Sequence, residues 1–272
     1  MCIRDSYGAV RDLVIGVRIA LPDGTVAKAG GRVIKNVAGY DLGKLSAGAF
    51  GTLGVLVEVA VRLHPLPQSE ASATATFADQ AALRRAVSRI AHSPLETESL
   101  DFAWRDGHGG VIARYGGAAA KDQAASAAEL LAREAGAEVG VAEDDDGMWA
   151  QQRSFQRAAA AGETVVRVSA LPGDLPRVLR SADELGASAA GRAAVGTTWV
   201  RLAPAPVERT AAAVDRLREI TPAVVLDAPA EVRAAVDPWG EPDGPLLALS
   251  RRLKERFDPA GVCNPGIYVG GI

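Results

Sequence analysis

The stretch from Gly30 to Pro67 reads GGRVIKNVAGYDLGKLSAGAFGTLGVLVEVAVRLHPLP, and seven glycines fall between Gly30 and Gly54. Gly48, Gly51 and Gly54 recur at every third position. A residue without Cβ adopts positive φ at low cost and lets backbone N–H groups approach a ligand closely. The spacing alone leaves two interpretations open, a ligand-binding loop or glycines that serve turns and bulges.

The glycine loop continues into VLVEVAVRL, in which apolar residues alternate with Glu58 and Arg62. This alternation predicts a half-buried strand. The G-x-x-G-x-x-G spacing differs from the dinucleotide-binding fingerprint, and no helix is predicted after it. The chain also lacks G-x-x-x-x-G-K-[ST], so the sequence does not support a P-loop nucleotide site.

The whole segment from Tyr7 to Pro67 resembles the second half of the FAD-binding domain of the vanillyl-alcohol-oxidase type, also called PCMH-type. Within that group, GG-x-V-x-KNVAGYDL and LKERFDPAGVCNPG, the latter from Leu253 to Gly266, most resemble the E-type FAD-binding subunits of bacterial glycolate oxidases. The motifs are long and lie far apart along the chain. The resemblance implies an FAD cofactor and an oxidoreductase that acts on CH–OH groups.

The resemblance also implies which residues contact FAD. The family's FAD loop corresponds to Phe50, Gly51, Thr52, Leu53, Gly54, Val55 and Leu56. A second contact segment corresponds to Tyr7, Gly8 and Asp12, and KNVAGYDL contributes Lys35, Asn36, Gly39 and Tyr40 near the flavin. Asn264, in the NPG turn, corresponds to the segment that approaches the isoalloxazine.

Simpler interpretations of three of these residues stay open. Asp12 can be an ordinary turn or cap residue. Tyr40 can be a core aromatic whose hydroxyl has a partner. The turn at Asn264 can simply end the helix before it.

Family members carry a pyrophosphate loop upstream of the YG-x-x-x-D motif, which begins here at Tyr7. We therefore expect the chain to be an N-terminally truncated fragment that binds FAD weakly or not at all by itself. Residues 1–6, MCIRDS, match neither the family nor a signal peptide, and we interpret them as an assembly scar.

The overall pattern predicts an α+β protein. Its expected parts are the C-terminal half of a PCMH-type FAD-binding domain (1–67), an α+β cap domain (68–245) and a C-terminal segment that returns to the flavin domain (246–272). Within 68–220, strands and helices alternate in two similar rounds, which indicates a cap built of ferredoxin-like halves. In the last helix, Leu246, Leu249, Leu253 and Phe257 share one face, which predicts core packing.

Composition narrows the class of protein. The 272 residues are 48% hydrophobic, enough for one large or two ordinary domains. A net charge of −3 gives no indication of nucleic-acid binding. Cys2 and Cys263 form no disulfide or zinc pattern, which favours the cytoplasm. No run of ~20 apolar residues is present, so membrane contact is expected only peripherally, at the inner membrane, through a partner.

The search for catalytic groups assigns no catalytic residue and no metal site. His64, His92 and His108 lack metal-ligand spacing, and G-x-S-x-G is absent. The acidic run 143–146 predicts a solvated loop. Relatives that oxidise 2-hydroxy acids use a His pair with a metal, not found here, and arginines that hold the carboxylate. Arg167 and Arg201 lie on predicted cap strands, and solvated positions are favoured for both.

The hypothesis at this stage is an FAD-binding subunit of a glycolate (2-hydroxy acid) oxidase complex in glycolate catabolism. Its expected partners are a catalytic flavin subunit, an iron–sulfur subunit and a small 2-hydroxy acid substrate, with no nucleic acid and no direct membrane insertion. A non-catalytic scaffold subunit with the flavin fold is one alternative. A stand-alone FAD-linked D-lactate dehydrogenase is another.

Overall fold

The computed structural model describes residues 8–32, 39–134, 138–143 and 145–272. These residues form two compact units. Residues 8–65 and 241–272 form one, here called the loop unit, and residues 66–240 form the other, here called the sheet unit. The domain limits given by the sequence, 1–67, 68–245 and 246–272, stay a prediction.

The secondary structure is mixed. The helices are α1 (Val10–Leu13), α2 (Leu42–Ser46), α3 (Gln80–Ala91), α4 (Ala120–Ala132), α5 (Asp146–Ser154), α6 (Leu175–Glu184), α7 (Val207–Arg218), α8 (Ala230–Ala235) and α9 (Gly244–Phe257). The strands are β1 (Val14–Ala20), β2 (Val26–Gly30), β3 (Val55–Val61), β4 (Glu70–Phe77), β5 (Ser99–Arg105), β6 (His108–Gly116), β7 (Val139–Ala142), β8 (Thr164–Ser169), β9 (Ser188–Arg192), β10 (Thr197–Leu202) and β11 (Ala223–Asp227). Among the described residues, no helix is both long and apolar enough to cross a bilayer.

The loop unit contains an antiparallel sheet in the order β2-β1-β3. The β1–β2 turn contains Pro22, Asp23 and Gly24, and the Asp23 carboxylate accepts a hydrogen bond from the Thr25 N–H at 2.9 Å. Val17 and Ile19 of β1 are buried, as is Leu53. Strand β1 therefore supplies buried apolar side chains that pack next to the glycine loop.

Two burial predictions for the loop unit are wrong. Strand β3 is not half-buried, because its four valines are 46–62% exposed. In α9 no residue is buried, and Leu246 and Leu249 are 56% and 46% exposed. Alternation and helical spacing determine which side chains share a face, whereas burial also requires a second layer. Strand β3 is an edge strand that pairs with β1.

The sheet unit confirms the predicted α+β architecture. Its eight strands follow the order β11-β8-β10-β9-β5-β6-β4-β7, with antiparallel pairing throughout. The chain runs strand-helix-strand-strand-helix-strand twice, from β4 to β7 and from β8 to β11. The β5–β9 pairing joins the two halves into one sheet. Each half therefore has the ferredoxin-like topology expected from the sequence.

Small side chains dominate the core of the sheet unit. Ala71, Ala73 and Ala75 of β4 are almost fully buried, and so are the helix residues Leu83 and Leu179. Alanine lets a helix approach a sheet closely, at the expense of buried apolar area per residue. Larger buried side chains, among them Trp104 and Phe102, fill the remaining space.

Strand β9 was not predicted, although all five of its residues are buried. Its sequence, SAAGR, lacks the β-branched and aromatic residues that favour strands. Pairing on both sides, with β5 and β10, overrides this low propensity. At Gly191 an added Cβ would lie 2.2 Å from the Thr197 carbonyl oxygen, so the close pairing there requires glycine.

The solvated loop predicted for the acidic run is wrong at one position. Asp145 is 4% exposed and pairs with Arg114 at 2.5 Å, while Ser72 and Trp149 donate to the same carboxylate. Burial by itself would raise the pKa of Asp145, but these hydrogen bonds and the Arg114 charge hold it below its usual value. A buried carboxylate requires such partners. Asp144 lies outside the described residues.

The close strand pairing at Gly191 predicts that a larger side chain there destabilises the sheet unit. We expect Gly191→Ala to lower the free energy of unfolding by ~1–3 kcal/mol, because overpacking forces the backbone apart. All four tryptophans lie in the sheet unit, so urea denaturation followed by tryptophan fluorescence measures this unit. Gly147→Ala is the control, since its added Cβ meets no described atom within 4 Å. Equal loss in both variants would contradict the prediction.

Candidate functional site

A cavity of about 450 Å³ in the loop unit contains most of the predicted FAD loop. Its lining residues are Ile19, Ser46, Ala49, Gly51, Leu53, Gly54, Val55, Leu56, Val262, Cys263 and Asn264. The cavity therefore combines two motifs from opposite ends of the chain. The sequence assigned both motifs to one cofactor, and the fold brings them together.

The loop between α2 and β3 has an unusual backbone. Asp41 caps α2 by accepting a hydrogen bond from the Lys44 N–H at 3.0 Å, and the chain then turns repeatedly. Positive φ occurs at Gly48 (86°), Phe50 (53°), Gly51 (74°) and Gly54 (145°). Phe50 adopts this conformation although it has a Cβ, which is uncommon outside glycine, asparagine and aspartate.

The protein's own structure favours glycine at all three regularly spaced positions, because each has a positive φ, and two of them are also close to other atoms. An added Cβ at Gly51 would lie 2.8 Å from the Asn264 side-chain nitrogen, and one at Gly54 would lie 2.7 Å from the Ala20 carbonyl oxygen. At Gly48 the same Cβ would meet no described atom within 4 Å. Turn and strand packing thus accounts for Gly51 and Gly54 without any ligand.

Backbone donors distinguish this loop from a purely structural turn. The N–H groups of Gly51 and Leu53 have no hydrogen-bond partner among the residues that the structure describes, and both residues line the cavity. Unpaired backbone N–H groups that line a cavity are suited to anionic oxygens. Ile19, Val55 and Val262 supply apolar walls beside them. This donor and wall chemistry fits part of an FAD molecule.

Lys254 and Asp258 connect the glycine loop to the C-terminal segment through hydrogen bonds. The sequence analysis gave neither residue a role. The Lys254 ammonium donates to the carbonyl oxygens of Thr52 (2.9 Å) and Cys263 (2.6 Å) and to the Asp258 carboxylate (2.6 Å). Asp258 also accepts from the N–H groups of Val262 and Cys263 at 3.1 and 2.7 Å. The available signal was the i,i+4 spacing of Lys254, in the last turn of α9, and Asp258, the first residue of DPAGVCNPG.

These contacts change two pKa values. Burial by itself would raise the pKa of Asp258, but the hydrogen bonds from Lys254, Cys263 and Val262 lower it to about 2. Burial raises the pKa of the Cys263 thiol, and the negative charge of Asp258 raises it further. Asp258 is therefore ionised, and Cys263, which lines the cavity, is a neutral thiol near pH 7.

Among the described residues, six predicted contact residues do not line this cavity: Gly8, Asp12, Gly39, Tyr40, Phe50 and Thr52. Tyr7, Lys35 and Asn36 lie outside the described residues. Gly8 and Gly39 have positive φ, and the Asp12 carboxylate accepts from the Ala9 N–H at 2.8 Å, which is a local capping contact. Tyr40 is 91% exposed, so its alternative interpretation as a core aromatic is wrong. Their roles toward a cofactor stay a prediction.

The two cap arginines do not have the favoured solvated positions. Arg201 donates to the carbonyl oxygens of Ser154 and Arg157 at 3.1 and 2.8 Å, and its guanidinium lies 4.2 Å from the Phe155 ring centroid. Its side chain is 10% exposed, so Arg201 fastens the segment after α5 to the sheet. Arg167 is half-buried on β8, opposite Trp199.

The sheet unit has a cavity of its own, about 410 Å³ in volume, beside α5. Its walls include Arg105 and His108, which flank the tight turn between β5 and β6. His108 is the first residue of β6, directly after this turn. Across the described part of the chain, no group of three or more His, Cys, Asp or Glu residues could hold a metal ion.

The lowered pKa of Asp258 predicts an acid-dependent stability. Its pKa is about 2 in the folded protein and about 3.9 in an unfolded chain, so the unfolded state takes up the proton first as the pH falls. The stabilisation is fully present above about pH 4 and is lost toward about pH 2. Calorimetric melting of wild type and Asp258→Asn measures the difference, which we expect to shrink over this range. A constant difference would count against the assignment.

The hydrogen bond of the Asn264 side chain is also expected to contribute to the free energy of unfolding. It donates to the Phe50 carbonyl oxygen at 2.8 Å, and Asn264 itself has a φ of 41°. Asn264→Gly keeps this backbone conformation, so we expect a loss of about 1 kcal/mol for the hydrogen bond. Asn264→Ala adds the cost of a left-handed backbone, roughly 1 kcal/mol more. Calorimetric unfolding measures both, and an alanine variant more stable than the glycine variant would refute the reasoning.

Comparison with known proteins gives partial matches in sequence. No protein-family model matches the chain. An uncharacterised FAD-linked oxidoreductase of Mycobacterium tuberculosis is 27% identical over 303 residues, which cover 97% of this chain and 66% of that relative. The chain therefore spans about two thirds of that relative's length.

Shorter segments match better-defined relatives. The glycolate oxidase protein GlcE of Escherichia coli is 42% identical over 89 residues, 33% of this chain and 24% of the relative. The glycolate oxidase protein GlcD of Bacillus subtilis is 38% identical over 96 residues, 35% of this chain and 20% of the relative. Mitochondrial D-lactate dehydrogenase (cytochrome) of Arabidopsis thaliana is 45% identical over 71 residues, 26% of this chain and 12% of the relative.

Solved structures agree on the fold. An alkyldihydroxyacetonephosphate synthase has a TM-score of 0.63 at 17% identity, over 96% of this chain and 54% of that one. The VAO-type flavoprotein MtVAO615 of Myceliophthora thermophila C1 has a TM-score of 0.60 at 16% identity, over 96% and 57%. The comparisons confirm the predicted relationship to FAD-linked oxidoreductases and to the VAO-type fold, without singling out GlcE.

Proposed function

We propose that this chain is the FAD-binding part of an oxidoreductase that acts on the CH–OH group of a small 2-hydroxy acid, as a subunit of a glycolate oxidase complex. The observation that carries the proposal is the cavity of the loop unit. Its wall joins five residues of the predicted FAD loop to Asn264, and two of the five, Gly51 and Leu53, have backbone N–H groups without a partner among the described residues.

Each part of the wall has a distinct task in binding. The N–H groups of Gly51 and Leu53 would donate to anionic oxygens of a bound dinucleotide, and Ile19 and Val55 would contact its apolar surfaces. Bound FAD supplies the redox chemistry, as cofactors do in flavoenzymes. The protein's own contribution is to orient the cofactor and to limit its contact with water.

The proposed partners are a catalytic flavin subunit and an iron–sulfur subunit, with glycolate oxidised to glyoxylate. The similarity to both GlcD and GlcE, each a glycolate oxidase subunit, supports this assembly. We propose a cytoplasmic location, with any contact at the inner membrane made through the partners.

Two other functions have specific support. A non-catalytic scaffold subunit is favoured by the sequence, in which the His pair that relatives oxidising 2-hydroxy acids use was not found. A stand-alone D-lactate dehydrogenase is favoured by the 45% identity of one segment to the Arabidopsis enzyme. Both retain the same flavin fold.

The first experiment asks whether the protein holds FAD. The protein, expressed from its complete gene, is expected to show the visible absorbance of oxidised flavin. Val55→Asp places a charge in the cavity wall and is expected to weaken FAD binding about tenfold, a cost of ~1.4 kcal/mol. Val26→Asp, on the opposite edge strand and similarly exposed, is the control and is expected to bind normally. A folded but colourless wild-type protein would leave the scaffold function.

A second experiment separates the substrates. Under anaerobic conditions, glycolate is expected to bleach the flavin when the partner subunits are present. Bleaching by D-lactate without any partner would instead support the stand-alone dehydrogenase. Absence of bleaching by either acid, in the complete complex, would contradict both catalytic proposals.

A further inference from the structure

We infer that Lys254 and Asn264 are positioning residues that set the direction of the backbone N–H groups of Gly51 and Leu53 in the cavity wall, with Asp258 fixing Lys254. This inference rests on the proposed function, since it names the groups that shape the same cofactor site. The family resemblance gave Asn264 a contact role toward flavin, and it gave Lys254 and Asp258 none.

The geometry of the peptide bond links the direction of each carbonyl to that of one N–H group. A trans peptide group is planar, and its C=O and N–H point in opposite directions. The carbonyl of Phe50 and the N–H of Gly51 belong to one such group, and the carbonyl of Thr52 and the N–H of Leu53 belong to another. Fixing either carbonyl therefore fixes the direction of the N–H on the far side of the same plane.

Both carbonyls are held by side chains of the C-terminal segment. The Asn264 side-chain amide donates to the Phe50 carbonyl oxygen at 2.8 Å. The Lys254 ammonium donates to the Thr52 carbonyl oxygen at 2.9 Å. Neither N–H group on the opposite side of these two peptide planes has a hydrogen-bond partner among the described residues. Each of these two peptide groups thus has its carbonyl oxygen held by a side chain and its N–H group available to a ligand.

Lys254 is itself held in one place. An ammonium group has three N–H donors, and the three oxygen acceptors of Lys254 occupy all of them. The Asp258 side chain is fully buried and also accepts two backbone N–H groups of the turn before Asn264. The same carboxylate therefore orders both anchors, the lysine directly and Asn264 through the turn that carries it.

The ligand chemistry follows from this arrangement. Two N–H groups on alternate peptides form a small anion-binding feature, suited to neighbouring oxygens of one phosphate or diphosphate group. We therefore assign the pair to the diphosphate of the bound dinucleotide. Adenosine, which lacks phosphate, is the probe that does not use these donors, and ADP is the probe that does.

The test uses the protein expressed from its complete gene. The double variant Lys254→Met, Asp258→Asn removes the hydrogen bond to the Thr52 carbonyl without leaving an unpaired buried charge. The asparagine oxygen can still accept hydrogen bonds from the backbone N–H groups of the turn. Arg252→Met, at an exposed position of α9, is the matched control. The readouts are the dissociation constants of FAD, ADP and adenosine, and deuterium uptake in a peptide that covers residues 50–54 of the ligand-free protein.

We expect the double variant to bind FAD and ADP about tenfold more weakly, as for the loss of well-aimed hydrogen bonds, with adenosine affinity unchanged. Deuterium uptake in the loop is expected to rise, and Arg252→Met is expected to match the wild type. Asn264→Gly, which keeps the backbone conformation, is expected to weaken the same two ligands.

Three outcomes would overturn the inference. A folded double variant with wild-type affinities and wild-type uptake shows that Lys254 does not position the loop. Equal weakening of ADP and adenosine shows that the donors do not serve phosphate. A wild-type protein that binds no FAD removes the proposed function and the inference together, whereas the first two outcomes leave the proposed function standing.

Discussion

The loop unit depends on the ion pair between Lys254 and Asp258. The Asp258 carboxylate is buried, and a buried charge is tolerated only when it is fully partnered. Here the lysine and two backbone N–H groups supply the partners, and the lysine in turn holds the carbonyl oxygens of Thr52 and Cys263. One interaction thus joins the end of α9, the NPG turn and the glycine loop into a single cavity wall.

This constraint changes what the glycines mean. Gly51 is required by its positive φ, and Gly54 by its positive φ and by the Ala20 carbonyl, which approaches too closely for a Cβ. The ligand-binding character of the loop lies in the N–H groups between the clamped carbonyls, and glycine spacing alone does not reveal it. A loop of this kind is preorganised, so a ligand does not bear the entropy of ordering it.

The sheet unit shows a different dependence, on pairing and close approach. Its alanine-rich core and strand β9 carry little intrinsic strand preference, and pairing on both sides supplies the order. Asp145 illustrates the same principle for charge: a residue within an acidic run becomes a buried anchor once Arg114 and Trp149 surround it. Local composition predicted neither strand β9 nor the burial of Asp145, because composition contains no information about neighbours distant in sequence.

The sequence by itself determined the α+β class, the two ferredoxin-like rounds and the resemblance that links Phe50–Leu56 to Asn264, because periodicity and long motifs are local signals. Only the tertiary structure decided burial, as at β3 and α9, where a shared apolar face found no second layer. It also decided the roles of Lys254, Asp258 and Arg201. Their hydrogen bonds reach carbonyls that are distant in sequence, or, as with Asp258, turn an ordinary i,i+4 pair into the centre of a network. No linear pattern specifies such three-dimensional contacts.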